Sequence, residues 1–169
     1  MRIQVLFAAA ILLSGCASTY QQNVVSAPSA KLQRGKAVTI ATPINGSYDS
    51  TDYPASGRMT AGATRSAFAR FSERVSISNQ CRDVACLKVE TAASDYSVVP
   101  EILHWEDRAT EWSGRPDRIE IKVTVYDALS PEPLASTIFS GKSKWGTLGG
   151  DHPQDLLPEP MNAYVESLY

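Results

Sequence analysis

The chain has 169 residues, with 16 Lys and Arg against 18 Asp and Glu for a formal charge of −2, and 43% of its residues are hydrophobic. That length suits one domain with its own core, and a near-neutral balance without a basic stripe excludes nucleic acid as the partner. Three cysteines and two histidines are the only soft metal ligands available.

The chain opens MRIQVLFAAAILLSGCAS: Arg2, an apolar run over residues 5–13, then Leu13-Ser14-Gly15-Cys16. A charged start, a short apolar segment and small residues before a cut describe a secretory signal, too short to remain as a membrane-spanning helix. Leu-Ser-Gly-Cys resembles the lipobox of bacterial lipoproteins. The resemblance implies cleavage before Cys16, a diacylglyceryl thioether on its sulfur and an acylated amino terminus. Several acyl chains on one residue make a stable anchor, each buried CH2 contributing about 0.8 kcal/mol. Ala17, where no Asp follows the cysteine, favours sorting to the outer membrane by resemblance to enterobacterial export. Residues 1–15 are therefore read as a cleaved signal, and removing 15 of 169 residues leaves 154. Residues 16–35 are read as the lipidated Cys16 and a flexible polar tether with an end-to-end distance of about 25 Å as a coil. Residues 36–169 are read as one domain.

With Cys16 acylated, Cys81 and Cys86 remain, and in an oxidising envelope compartment such a pair forms a disulfide. A helix carries residues five apart beyond disulfide reach, so a turn is expected between them. The alternative is a metal site built from Cys81, Cys86, His104 and His152, whose spacing matches no zinc finger or ribbon. No metal and no cofactor is expected.

The domain opens with KAVTIATP, β-rich and apolar on both faces, which predicts a central strand over residues 36–43. A loop with an Asn45-Gly46 turn signal follows. Residues 56–75 place Ala61, Thr64, Phe68, Phe71 and Val75 on one face of a helix, with Ser56 or Gly57 as its cap. Arg58, Arg65, Arg70 and Arg74 lie on the rest, either as a solvated face or as a site for acidic lipid or a partner. Residues 75–78 read as a short strand and 84–95 as helix or strand. In YSVVPEILHW, a strand, Pro100 predicts an edge or a bulge, and Val99, Leu103 and Trp105 share one side. RIEIKVTVYD alternates Ile119, Ile121, Val123 and Val125 with Glu120, Lys122, Thr124 and Tyr126, a strand with one dry and one wet face. ALSPEP turns it back into LASTIFSGKSKW. Near the end, Asp151 or His152 with Pro153 starts a turn, and Met161, Tyr164, Val165 and Leu168 mark a closing helix. The order β-α-β-α-β-β-β-α predicts an α+β fold, a mixed sheet of about five strands packed with two to three helices.

Where the strand YSVVPEILHW passes to RIEIKVTVYD, residues 104–120 hold one His, two Trp, five carboxylates and three Arg. Paired carboxylates such as Glu106, Asp107, Glu111 and Asp117 do acid and base work when burial separates their pKa values. Arg108, Arg115 and Arg118 among them point instead to ion pairing. There is no GxSxG elbow, and neither His has a context that assigns it a nucleophile. The expectation is therefore a non-catalytic protein with a contact surface formed by His104, Glu106, Asp107, Trp112 and Trp145, since Trp and Arg anchor interfaces and indoles also stack on sugars. An envelope protein is the expected partner, and peptidoglycan or another glycan the alternative.

The opening strand VTIATP, the strand SDYSVVPEI and the hairpin VTVYDALSPEPLASTIFSG resemble, as a pattern, a fold shared by three groups. These are the amino-terminal domain of the Tol-system propeller protein, the curli secretion lipoprotein and the lipoprotein activators of penicillin-binding proteins. ILHWEDRATEWSGRPDRIE, GGDHPQDLLPE and the terminal YVESLY more closely resemble a bacterial lipoprotein family known only as domain of unknown function 4823. That likeness covers residues 36–169 and implies fold and compartment without an activity; the expected location is the outer membrane, lipid-anchored and facing the periplasm.

Overall fold

The alternating segment becomes the middle of a sheet. Strand β7 (Arg118–Asp127) buries Ile119, Ile121, Val123 and Val125 at 1% exposure or less, while Glu120, Lys122 and Tyr126 are half-buried on the opposite face. The computed structural model describes residues 18–28, 30–90, 94–108, 114–128, 130–144 and 152–169. Strands β6 (Tyr96–Glu106) and β8 (Pro133–Lys142) pair antiparallel on either side of β7. Beyond β6 lie the parallel strands β2 (Val38–Ala41) and β5 (Val75–Ser78), and beyond β8 the antiparallel strand β1 (Thr19–Ser26). The order is β1-β8-β7-β6-β2-β5, and β3 (Ser47–Tyr48) and β4 (Thr51–Asp52) form a small separate hairpin.

Helix α1 (Ser56–Phe68), a 3-10 turn (Pro153–Leu156) and helix α3 (Pro158–Leu168) cover one face and close the main core with Phe68, Trp105, Phe139, Met161 and Leu168. Helix α2 (Val84–Glu90) packs on the other face, in a smaller cluster of Ala41, Cys81, Leu87 and Val99. The α+β class and mixed sheet expected from the sequence are present, with six strands. All four residues of β2 are buried, as its two apolar faces require.

The tether reading of residues 16–35 is corrected by the structure. Thr19–Ser26 is an edge strand on β8, and Leu32 is buried in the core, its N–H donating to the Leu168 carbonyl at 2.8 Å. An edge strand takes its backbone hydrogen bonds from its neighbour while its side chains stay wet, so the exposed Gln21, Gln22 and Asn23 carry no hydrophobic period. Two side-chain contacts fasten it further: Gln22 Nε2 donates to Thr137 Oγ1 at 3.2 Å, and Tyr20 lies over Gly141, where an added Cβ would stand 3.1 Å from the ring. Residues 19–26 and Leu32 thus belong to the folded body.

Helix α1 ends at Phe68, seven residues before the amphipathic pattern does. The Phe68 carbonyl accepts the N–H groups of both Phe71 and Ser72, tightening the last turn, and the chain must straighten to deliver β5 at Val75. Phe71 keeps its apolar role by stacking on Tyr169, ring centroids 4.3 Å apart. The cap is neither Ser56 nor Gly57. Asn45 Oδ1 accepts the Gly57 N–H at 3.0 Å from twelve residues away, and Ser56 Oγ accepts the Gly46 N–H and donates to the Tyr53 carbonyl. Three of the four arginines have local partners: Arg65 on the Val75 carbonyl, Arg70 with Glu166, Arg74 with Asp95.

β2 pairs with β6 only as far as Val98, so Pro100 lies where that edge of β6 has no strand beside it. The bulge falls at Leu103, which has no partner in the register to β7. Leu103 is 48% exposed, and Val99 and Trp105 sit in the two clusters on opposite faces, so the three do not share one side.

Cys81 and Cys86 form a disulfide across the turn that leads into α2. Closing so small a loop contributes about 2 kcal/mol in the chain-entropy account. The double variant Cys81→Ala, Cys86→Ala is expected to lower unfolding free energy by about that amount in urea titrations, with the fold kept. A change near zero would mean that the bridge constrains nothing that packing does not.

Candidate functional site

The polar stretch after Leu103 converges at one end of the sheet. Past the bulge, Trp105 turns into the main core at 2% exposure, and its neighbours His104 and Glu106 turn to the opposite face. Glu106, expected on a contact surface, is instead 2% exposed, which corrects that assignment. Its two oxygens are both engaged. Oε1 takes the Arg108 guanidinium and Oε2 lies 3.2 Å from His104 Nε2. A carboxylate is stable in such a place only when paired, and Arg108 supplies the pairing charge. Tyr48 of β3 closes the group, edge-on to His104 at 5.0 Å and under the Arg108 guanidinium at 5.6 Å.

Asp107 remains accessible and pairs with His152 Nδ1 at 3.6 Å. His152 stands at the start of the 3-10 turn, as expected, and its N–H donates to Asp155 Oδ2 at 3.0 Å. The segment that starts at His152 is thereby drawn to the same end as HWEDR. Asp117 is fully buried there. Its Oδ1 accepts the Arg108 backbone N–H at 2.6 Å, while its backbone exchanges two hydrogen bonds with Ser143. Asp117 Oδ2 has no partner among the described residues, and burial pushes the Asp117 carboxyl above its ordinary value of 3.8, with the nearby Asp107 charge adding to the shift. Sequence reading weighed Asp117 as an acid or base and left it off the contact surface; its place beside Pro116 and before the strand start was the available signal. Cys16, Trp112, Trp145 and Asp151 lie outside the described residues.

Among the described residues the one group close enough to hold a metal is Cys81, Cys86 and Glu90, whose two sulfurs are joined to each other. Neither histidine belongs to it. Glu90 Oε2 accepts the Ser78 hydroxyl at 2.7 Å.

A second feature, missed from the sequence, is an open cleft of about 530 Å3 beside the unpaired edge of β6. Ile44, Val84, Pro100, Leu103 and Tyr126 give it apolar walls, and its charged side chains are Arg82, Asp83 and Glu101. Ile44 is 75% exposed. The signal for it was an isolated Ile between Pro43 and Asn45, outside any periodic run.

The sequence profile of a family described as a domain of unknown function, DUF4823, matches residues 30–168. The chain belongs to this family. The resemblance carried by HWEDR, GGDHPQDLLPE and YVESLY is thus borne out, and β1 lies before the matched span. No curated protein matches the sequence. Among solved structures, the PelC dodecamer of Paraburkholderia phytofirmans superposes with a TM-score of 0.67 at 14% identity, covering 90% of this chain and 98% of that one. A single-substitution form of the same dodecamer gives 0.66 at 14% identity with the same coverage. A Xanthomonas campestris protein of the family DUF330 gives 0.52 at 15% identity, over 85% of this chain and 90% of that one. At these identities the likeness shows the fold alone. For this DUF4823 chain the site must be read from its own residues.

Asp117 offers a direct test of that reading. Because its folded value lies above the ordinary 3.8, the folded protein keeps a proton that the unfolded chain releases. Its contribution is therefore favourable below pH 3.8 and is lost as pH rises through the raised value. Relative to wild type, Asp117→Asn is expected to gain stability as pH rises from about 4 through the raised value, and to hold that gain above it, in denaturant titrations. A difference between the two that stays flat over that range would show that the carboxyl ionises in the fold without cost.

Proposed function

We propose that this chain is a non-catalytic lipoprotein of the outer membrane, anchored through Cys16 and facing the periplasm, that serves as an accessory module by contact with an envelope protein or assembly. The observation that carries this reading is the commitment of the stretch best suited to chemistry. Glu106 is closed between Arg108 and His104, Asp107 is paired with His152, and Asp117 is sealed behind the β8 end. A general acid or base needs an oxygen within reach of a substrate proton, and Glu106 has none to offer. The lipobox-like Leu13-Ser14-Gly15-Cys16 supports the anchor, and no described helix is long and apolar enough to cross a membrane. The disulfide suits an oxidising compartment. PelC, which shares the fold, is a dodecamer, and this supports a module that works by assembly.

Two measurements test the reading. Cys16→Ser is expected to move the protein from the membrane pellet to the soluble periplasmic fraction; unchanged fractionation would remove the anchor. Photo-crosslinking in cells from Leu103, which is exposed, with the buried Phe139 as control, is expected to give a discrete protein adduct only from position 103. Turnover of an envelope substrate that is lost in Glu106→Gln would overturn the non-catalytic assignment.

A further inference from the structure

Strand β1 begins at Thr19, only three residues after Cys16, and this fixes which end of the sheet meets the membrane. Thr19 is in register with Lys142 of β8, Lys142 with Arg118 of β7, and Arg118 with Glu106 of β6. These four residues form a row across one end of the sheet. Three residues of chain reach about 11 Å when fully extended. That is comparable with the Debye length of about 8 to 10 Å at physiological ionic strength. Charges on this row therefore lie within electrostatic range of the headgroups around the anchor.

The row is suited to an anionic surface. Lys142 and Arg118 are exposed and directly opposite one another, and neither makes an ion pair among the described residues. Like charges facing each other on adjacent strands are unfavourable without a counter-charge. Glu106, next in the row, is buried and held by Arg108 and His104, so it presents no carboxylate beside them. The opposite end of the sheet also exposes cations, Lys31, Arg34 and Arg74, so charge alone does not choose between the ends. That end is a strand length away, about 30 Å for ten residues, beyond a three-residue link. Covalent reach makes the choice.

We infer that the end of the sheet carrying Thr19, Lys142 and Arg118 lies against the bilayer that holds Cys16, with both cations on anionic phospholipid headgroups. The inference rests on the reading that Cys16 is acylated. The domain then stands as an oriented platform on its membrane, with β1 leading away from the surface.

The test uses the full lipidated chain carrying a fluorophore at Thr19→Cys, which is exposed in the same row and leaves both cations in place, or, separately, at Glu132→Cys, an exposed position at the far end of β8. Cys16 is acylated and the other cysteines are bonded to each other, so only the new thiol reacts. In phosphatidylethanolamine/phosphatidylglycerol vesicles bearing a headgroup quencher, the label at 19 is expected to be quenched severalfold more than the label at 132. Equal quenching, or stronger quenching at 132, overturns the orientation. Replacing phosphatidylglycerol with phosphatidylcholine is expected to reduce quenching at 19 at least twofold, and no change overturns the role of the cations. Mass spectrometry of the amino-terminal peptide separates the two levels. Absence of acyl chains overturns the anchoring itself and this inference with it, whereas acyl chains with equal quenching overturn the inference alone.

Discussion

One unpaired residue in β6 decides what each side of this molecule can do. Before Leu103 the even-numbered residues of the strand, Tyr96 and Val98, face the main core; after it the odd-numbered Trp105 does. Without the bulge, strict alternation would turn Trp105 outward and carry Glu106 into an apolar core, where an unpaired carboxylate is not tolerated. With the bulge, Trp105 seats its Cβ against Gly46, where an added methyl carbon would lie 2.5 Å away, so only glycine fits. Gly46 in turn holds Asn45 where it caps α1. On the other face the same register shift brings His104 and Glu106 to one side, two residues apart, where Arg108 and Tyr48 complete the group. The position of α1 and the composition of the polar end both follow from a single extra residue.

Most of the fold was legible because its elements announce themselves by period. β7 alternates, α1 carries an apolar stripe, and β2 is apolar on both faces between two neighbours, so the sequence pattern and the burial agree. What escaped was whatever depends on partners far away in the chain. Strand β1 exists because β8 offers an edge, and nothing in TYQQNVVS alternates, since both of its faces are largely wet. The Asn45 cap joins residues twelve apart, and the bulge is a matter of register against β7, to which composition is blind. Val99, Leu103 and Trp105, expected on one side, divide among the smaller cluster, the surface and the main core, because a side-by-side argument along one strand fails across a bulge.

The polar end shows the same division. Ion pairing among its charges was readable from the mixture of Arg with Asp and Glu, and Arg108 with Glu106 realises it. Burial was not readable. Glu106 and Asp117 stand in a segment with turn residues and five carboxylates, which suggests solvent, and both are sealed inside. His152 joins Asp107 from forty-five residues away, a contact that only the return of the chain after β8 creates.

Their burial also bears on how this end meets its surroundings. Asp117 is held at a cost, with one oxygen satisfied by a backbone N–H and the other left without a partner among the described residues. Placed outside, either carboxylate would be solvated and would stand as a counter-charge near Lys142 and Arg118. Placed inside, Asp117 anchors the start of β7 to the end of β8 through Ser143, and Glu106 ties Arg108 to His104. Lys142 and Arg118 are then left as outward charges on the row that begins at Thr19. Burial thus leaves the row of Arg118 and Lys142 without an exposed carboxylate from Glu106, and the Asp117 Oδ2 that has no partner among the described residues is the cost of keeping that acid inside.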